Sequence, residues 1–261
     1  MRTLSLPRPV PEGDNGRVYT ERPALAVPGA VLWSWQSAAD AAAGTGRVLP
    51  DGCMDLIWSG GALLVAGPDT VAQVVDRVPG ECSVGLRFAP GTAAALLGVP
   101  AWELRDRRVP LDELWPGRAG RTARDLVGAA ADGRATGDRA ADLAAALEAV
   151  VRERAAGHGW PGDPVRGGVL DGLRRGVGVA GIAAGLGLSE RQLLRRCRES
   201  FGYGPRTLGR VLRLERALAA ARDGEAFAAV AAGAGYADQA HLAREVRALA
   251  GVPLTALLAD G

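Results

Sequence analysis

Two stretches near the C-terminus repeat one pattern, and a duplicated three-part unit admits few folds. The first runs Ile182-Ala-Ala-Gly-Leu-Gly-Leu-Ser189, continues Glu-Arg-Gln-Leu-Leu-Arg-Arg-Cys197, and closes on Gly202-Tyr-Gly-Pro205. The second runs Val230-Ala-Ala-Gly-Ala-Gly-Tyr236, continues to Arg244 and Val246, and closes on Gly251-Val-Pro253. Leu193, Arg195, Cys197 and Gly202 pair with Leu242, Arg244, Val246 and Gly251 at one constant offset, while the first helices pair one residue closer, which puts the slip in the turn. Each copy reads as a short Ala-rich helix, a Gly-containing turn and an Arg-bearing amphipathic helix. That is the outline of a helix-turn-helix, whose second helix enters the major groove of DNA.

The chain has 261 residues, enough for two ordinary domains with cores of their own. A formal net charge of only +2 does not mark the whole chain as a general polyanion binder. The charge is uneven: residues 1–159 hold 17 Arg against 19 acids, whereas residues 160–261 hold 14 Arg against 10. The positive excess therefore falls on the repeat. Every basic residue is Arg, which with the abundant Ala and Gly reflects coding composition more than local chemistry. Cys53, Cys82 and Cys197 lack zinc-like spacing, and His158 and His241 lie far apart in sequence, so neither a metal nor a cofactor is expected. An odd cysteine count suits a reducing cytoplasm. Pro7, Pro9 and Pro11 interrupt any leader-like start, and no run approaches the ~20 apolar residues of a membrane span. The expectation is a cytoplasmic protein with no membrane partner.

Residues 1–20 are rich in Pro and Gly and read as a flexible arm. A β-rich domain is expected over 21–157. Its strand signals lie at 30–35, 53–58, 62–66, 71–75 and 82–88, separated by turns such as Pro50-Asp51-Gly52 and Gly67-Pro68-Asp69. Such spacing predicts an antiparallel sandwich or barrel. From about 92 to 156 the period becomes helical, at 92–97, 111–115, 121–130 and 138–155. The last helix carries Leu143, Leu147, Val150 and Val151 on one stripe, with Glu148 off it. That stripe serves either a dimer interface or the domain's own sheet. Residues 158–164 form the clearest linker, and 165–261 an all-helical domain with units at 179–200 and 227–249 joined by a helix over 205–222. That joining helix would span ~27 Å, which suits two neighbouring major grooves spaced by ~34 Å. The fold class is thus α+β in two domains.

Within the first unit, Ser189 is placed to cap the reading helix, Leu193 and Cys197 face the core, and Arg191, Leu194 and Arg195 share the opposite face. Gln192 stands among them. In the second unit Asp238 is the cap, Leu242 and Val246 point inward, and Gln239, Ala243 and Arg244 point outward. Arg can grip guanine or neutralise phosphate, Gln239 can read adenine, and His241 can meet a phosphate. The bland alternative is a pair of ordinary solvated helices; the tandem copy and the basic bias favour double-stranded DNA.

These residues resemble the AraC/XylS family of bacterial transcription regulators over about residues 165 to 259. The likeness rests on Ile182 to Arg196, Phe201-Gly-Tyr-Gly-Pro205, Arg213 to Ala217, and Gly235-Tyr-Ala-Asp-Gln-Ala-His-Leu-Ala-Arg244. It implies seven helices, two helix-turn-helix units and binding to promoter DNA. Cys197 and Val246 stand where members carry Phe, implying less filled cores, and Leu254 replaces a closing Pro, which bears on the final turn. The segments Arg47 to Trp58 and Val84 to Gly91 resemble the N-terminal domain of one branch of these regulators, implying a compact cupin-like sensor. The family further implies a homodimer, comparable helices forming its interface, with RNA polymerase a further partner.

The effector is an unknown small molecule. Trp33, Trp35 and Trp58 can line an apolar pocket, although aromatics in strands more often serve as plain core. Asp51 and Asp55 flank Cys53 and can orient a polar ligand, or the triplet at Asp51 is simply a tight turn. Arg87 is the anion anchor if the effector is acidic, or a salt-bridge partner. Cys53 is either a redox sensor or an inert buried thiol. The leading expectation is a sequence-specific transcription regulator that is not an enzyme. The alternative is a cupin-like enzyme with an auxiliary helical module, which lacks a nucleophile–His pair. A general DNA-packaging protein would be far more basic.

Overall fold

Strand β4 (Met54–Ser59) shows why the first half of the chain forms a sheet: Met54, Leu56 and Trp58 are buried while Asp55, Ile57 and Ser59 are half-buried on the other side. The computed structural model describes residues 17–25, 27–132, 138–158 and 163–259. With β1 (Arg17–Pro23), β2 (Val31–Ser37), β5 (Ala62–Ala66), β7 (Cys82–Phe88) and β8 (Arg108–Pro110), β4 builds one antiparallel sheet in the order β1-β2-β7-β4-β5-β8. Strands β3 (Gly44–Val48) and β6 (Gln73–Arg77) pair only with each other. The described strands therefore form an open six-stranded sheet and a separate two-stranded one. β1, β3 and β8 carry no strand signal in the sequence: β1 overlaps the polar arm, Gly44-Thr-Gly-Arg-Val shows no alternation, and Arg108–Pro110 is only three residues long. Residues 1–16 of the expected arm lie outside the described residues, whereas 17–20 are strand.

Register fixes two faces. Leu32, Leu56, Trp58, Leu63, Val65, Val84, Leu86 and Phe88 belong to the core. Helices α1 (Ala93–Leu97), α2 (Leu111–Leu114), α3 (Arg118–Asp132) and α4 (Arg139–His158) complete the β-rich domain, with a 3-10 turn at Ala101–Glu103. On α4, Leu143, Leu147 and Val151 are fully buried, and the helix packs against β7 and β2. The apolar stripe thus covers the domain's own sheet and is not free for a second copy. Each such side chain contributes roughly 1.5–3 kcal/mol by leaving water. Glu148 departs from its expected exposed place: it is buried, accepts the Leu25 N–H at 2.5 Å and pairs with Arg22 at 3.5 Å. It anchors the chain just beyond β1. The expected linker opens inside α4, and 159–162 lie outside the described residues.

From Asp163 onward the described chain is helical: α5 (Pro164–Arg174), α6 (Val179–Gly185), α7 (Glu190–Phe201), α8 (Pro205–Arg222), α9 (Phe227–Ala234), α10 (Gln239–Ala250) and α11 (Leu254–Ala259). Asp163 caps α5 by accepting the Val165 N–H at 2.9 Å, with Pro164 in the first turn. Two cores form. Val169, Ile182, Leu193, Cys197 and Phe201 gather with Leu208 and Val211; Val230, Leu242, Val246 and Leu249 gather with Leu214 and Leu218. Helix α8 supplies both. Cys197 and Val246 are fully enclosed, and α11 forms directly after Pro253 with Leu254 buried. Leu193→Ala is expected to cost about 2–5 kcal/mol in urea unfolding, and Leu193→Asp to abolish cooperative unfolding of the helical region. Unchanged midpoints would overturn the core assignment.

Candidate functional site

The α7 N-terminus is built by a reciprocal cap. Ser189 Oγ accepts the Gln192 N–H at 3.2 Å, and Gln192 Oε1 accepts the Ser189 N–H at 2.8 Å. The Ser-x-x-Gln spacing carried that signal, so the Gln192 oxygen is committed to the cap. Arg191, Leu194 and Arg195 are exposed together on one face, with Leu194 showing 45% of its surface. Arg195 lies 3.9 Å from Glu199 one turn on, a loose pair open to exchange for phosphate. At α10, Asp238 Oδ1 accepts the His241 N–H at 2.6 Å. His241 Nδ1 accepts the Ala237 N–H at 3.3 Å and its ring meets Tyr236 edge-on, so this half-buried side chain is held locally. Gln239, Ala243 and Arg244 are exposed. Glu245, behind them, takes a bidentate contact from Arg210 of α8 at 2.8 and 3.3 Å. That bond holds the Glu245 carboxyl below its ordinary range and ties α10 to α8.

The second candidate region is the sheet face opposite the core. Trp33 lies flat over Gly85, where an added Cβ would meet the indole at 2.3 Å, so only glycine fits there. Trp33 Nε1 donates to Asp55 Oδ1 at 2.6 Å and its ring stacks on Tyr19 with centroids 6.4 Å apart. Arg77 reaches from β6 over the Trp35 ring at 5.7 Å. Arg87, almost wholly buried, sits among three carboxylates: Nε is 3.3 Å from Asp55 and 3.4 Å from Asp51, and Nη1 is 3.7 Å from Glu21. Burial alone would lower its pKa; Asp55 and Asp51 overcome that and hold it charged. Burial raises Asp51, outweighing Arg87. Tyr19 donates its hydroxyl proton to Glu21. Sequence spacing does not point to Tyr19 and Glu21, because β1 straddles the boundary between the expected arm and the β-rich domain and shows no strand signal of its own.

Three expected effector contacts change role. Trp58 packs in the core, on the face away from Trp33 and Trp35. Arg87 is neutralised by the chain's own carboxylates, which argues against an anion anchor. Cys53 is buried and its thiol is pushed well up, first by burial and then by Asp51, which disfavours the reactive thiolate. Asp51 does shape its turn, Oδ1 accepting the Cys53 N–H at 2.8 Å.

A further cluster joins this region to α8. Glu215 has its carboxyl pushed up to about 8, first by burial and then by Asp51, against the lowering influence of Arg174 and Arg87. Tyr203, buried nearby, has a hydroxyl without a hydrogen-bond partner among the described residues. Both lie in segments that carry the family resemblance, but sequence spacing does not show that they meet Asp51, since that contact is tertiary. Among the described residues no group of three His, Cys, Asp or Glu is arranged to hold a metal, and no helix is long and apolar enough to cross a membrane.

Residues 182–260 match the profile of a helix-turn-helix domain family, and residues 19–110 that of a domain of unknown function, DUF6597. The helix-turn-helix match is of the AraC type. No curated protein matches in sequence. Among solved structures, ToxT from Vibrio cholerae O395 is similar at 12% identity and TM-score 0.44, over 95% of this chain and 98% of that one. Unsaturated fatty acid-bound ToxT from Vibrio cholerae strain SCE256 is similar at 11% identity and TM-score 0.42, over 95% and 96%. Likeness this weak says nothing of what the present chain binds.

Glu215 sets a pH dependence. Its carboxyl titrates near 8 in the folded chain against an ordinary 4.5, so its contribution is fully present below pH 4.5 and lost as pH rises to 8. Glu215→Gln should therefore gain in melting temperature over wild type between pH 6 and pH 8.5. A gap that stays constant across that window would refute the assignment.

Proposed function

We propose that this chain, which carries an AraC-type helix-turn-helix domain in residues 182–260, is a sequence-specific transcription regulator that reads promoter DNA with α7 and α10. One observation carries the reading. Two N-capped helices bury Leu193 and Cys197, or Leu242 and Val246, in separate cores around a shared rod, and expose Arg191, Arg195 and Arg244. Burial of one face fixes which side chains can reach a groove. Leu194 adds an apolar contact suited to a thymine methyl, and Gln239 a donor–acceptor pair suited to adenine. Ser189 and Gln192 act through the cap, and His241 and Ala243 flank the reading face.

The β-rich domain is the sensing half in this reading. Trp33, Trp35 and Asp55 share one sheet face beside Tyr19, Glu21 and the turn residue Asp51, a half-buried aromatic and acidic surface. Three carboxylates around one guanidinium suit a ligand that donates hydrogen bonds or carries positive charge. An effector acts by binding two conformations unequally. A homodimer working with RNA polymerase in the cytoplasm completes the reading, and no catalytic chemistry is assigned.

Arg195→Ala and Arg244→Ala should each weaken binding to a selected operator by about 1–3 kcal/mol while leaving random DNA little affected, measured at fixed salt. Equal losses on both DNAs would make these residues phosphate contacts. A wild-type chain that prefers no sequence would end the regulator reading.

A further inference from the structure

Besides its contacts with α5 and α8, the β-rich domain meets the helical region at the C-terminal end of each reading helix. At α10 the last turn exposes carbonyls that no intrahelical N–H can reach. The Leu249 carbonyl accepts the Ala72 N–H at 2.7 Å, and the Ala250 carbonyl accepts Arg47 Nη1 at 3.1 Å. Arg47 lies on β3 and Ala72 just before β6, so the two-stranded sheet supplies both donors. A guanidinium there also favours the negative end of the helix dipole. Leu49, just past β3, packs against the second unit's core.

At α7 the contact is steric. Gly202 ends the helix at φ +82, and a Cβ there would stand 2.5 Å from Pro68 Cγ and 3.1 Å from the Ala101 carbonyl oxygen. The helix packs on the Ala101–Glu103 turn and on α1. Arg166 of α5 adds a bond from Nη1 to the Pro90 carbonyl at 3.3 Å. The outward residues Arg191, Arg195 and Arg244 stay exposed throughout. The β-rich domain therefore grips both reading helices without covering what they present.

We infer that the β-rich domain is a clamp that fixes the separation of the two reading helices, and that Arg47 is the positioning residue on the α10 side. The inference rests on the DNA-reading function proposed above and adds how the spacing of the two half-sites is set. Within the helical region, α8 and the Arg210–Glu245 contact are the ties between the units. A rod held at its middle leaves each end some freedom to tilt. Capping the α10 terminus from the same body that abuts α7 removes that freedom.

The test selects operators from a random duplex library with the full-length chain and with Arg47→Ala, then measures affinity for operators with one base pair inserted or deleted between the half-sites. The wild-type chain should lose about tenfold on either change, and Arg47→Ala less than about threefold, with both half-site sequences unchanged. Arg47→Lys, which keeps a donor and a charge, should restore most of the strictness. Ala72→Pro, which removes the N–H, should relax it as Arg47→Ala does. Equal strictness in wild type and Arg47→Ala overturns the clamp. Loss of all sequence preference in Arg47→Ala also overturns it, because Arg47 would then be a DNA contact. A wild-type chain that selects no sequence instead sinks the regulator reading, and the clamp with it.

Discussion

Helix α8 belongs to two hydrophobic cores at once, and the helical region depends on that sharing. Leu208 and Val211 close the first core while Leu214 and Leu218 close the second, within one uninterrupted rod. A continuous helix has a fixed rise and a fixed turn per residue, so the two units cannot choose their relative rotation freely. Each core in turn fixes which face of its reading helix looks outward. Leu193 and Leu242 are each close to fully enclosed, and the arginines one residue or more away are left in solvent. The exposed pattern is thus a consequence of burial and not an independent feature.

The β-rich domain is organised around a different constraint, the near-complete burial of Arg87. A guanidinium inside a protein requires compensating charge, and β1, β4 and the Pro50–Gly52 turn each contribute one carboxylate. This arrangement explains why Asp51 and Asp55, two positions flanking a buried cysteine, converge although their backbones face different elements. It also orients Trp33, whose indole N–H is held by the same Asp55 that faces Arg87. The excess acid is shared with Glu215 of α8, so the charge state of the sheet face and the seating of the helical region are electrostatically coupled.

Much of the helical region was legible in the sequence because its signals are local. Ser189, Asp238, Pro205 and the paired Gly202 and Gly251 announce where helices begin and end, and the inward positions follow from a spacing of four. The reading-face residues follow from the same period. The β-rich half was legible only in part. Strand positions such as 82–88 follow from composition, but pairing order is non-local, and alternation alone could not place Trp58 on the face away from Trp33. The partners of Arg87 were equally invisible, since Glu21 and Asp51 are brought to it by tertiary pairing. Glu215 and Arg47 escaped for the same reason: each acquires its role from a contact between the two halves of the chain.

The charge on the reading helices argues for sequence reading over general attraction to DNA. The helical half carries only a small basic excess, 14 Arg against 10 acids over residues 160–261, and two of those arginines are paired internally: Arg210 with Glu245 and Arg175 with Asp171. A protein relying on phosphate neutralisation needs many uncommitted cations, since each contact adds one increment to a salt-sensitive affinity. The exposed arginines of α7 and α10 stand beside Leu194 on one helix and Gln239 on the other. Apolar and amide groups gain nothing from phosphate but discriminate between base edges. In the proposed reading, then, discrimination between sequences comes from fit. Fit depends on holding two helices at one separation, and in this fold the ends of both helices are contacted from outside the helical region as well as within it.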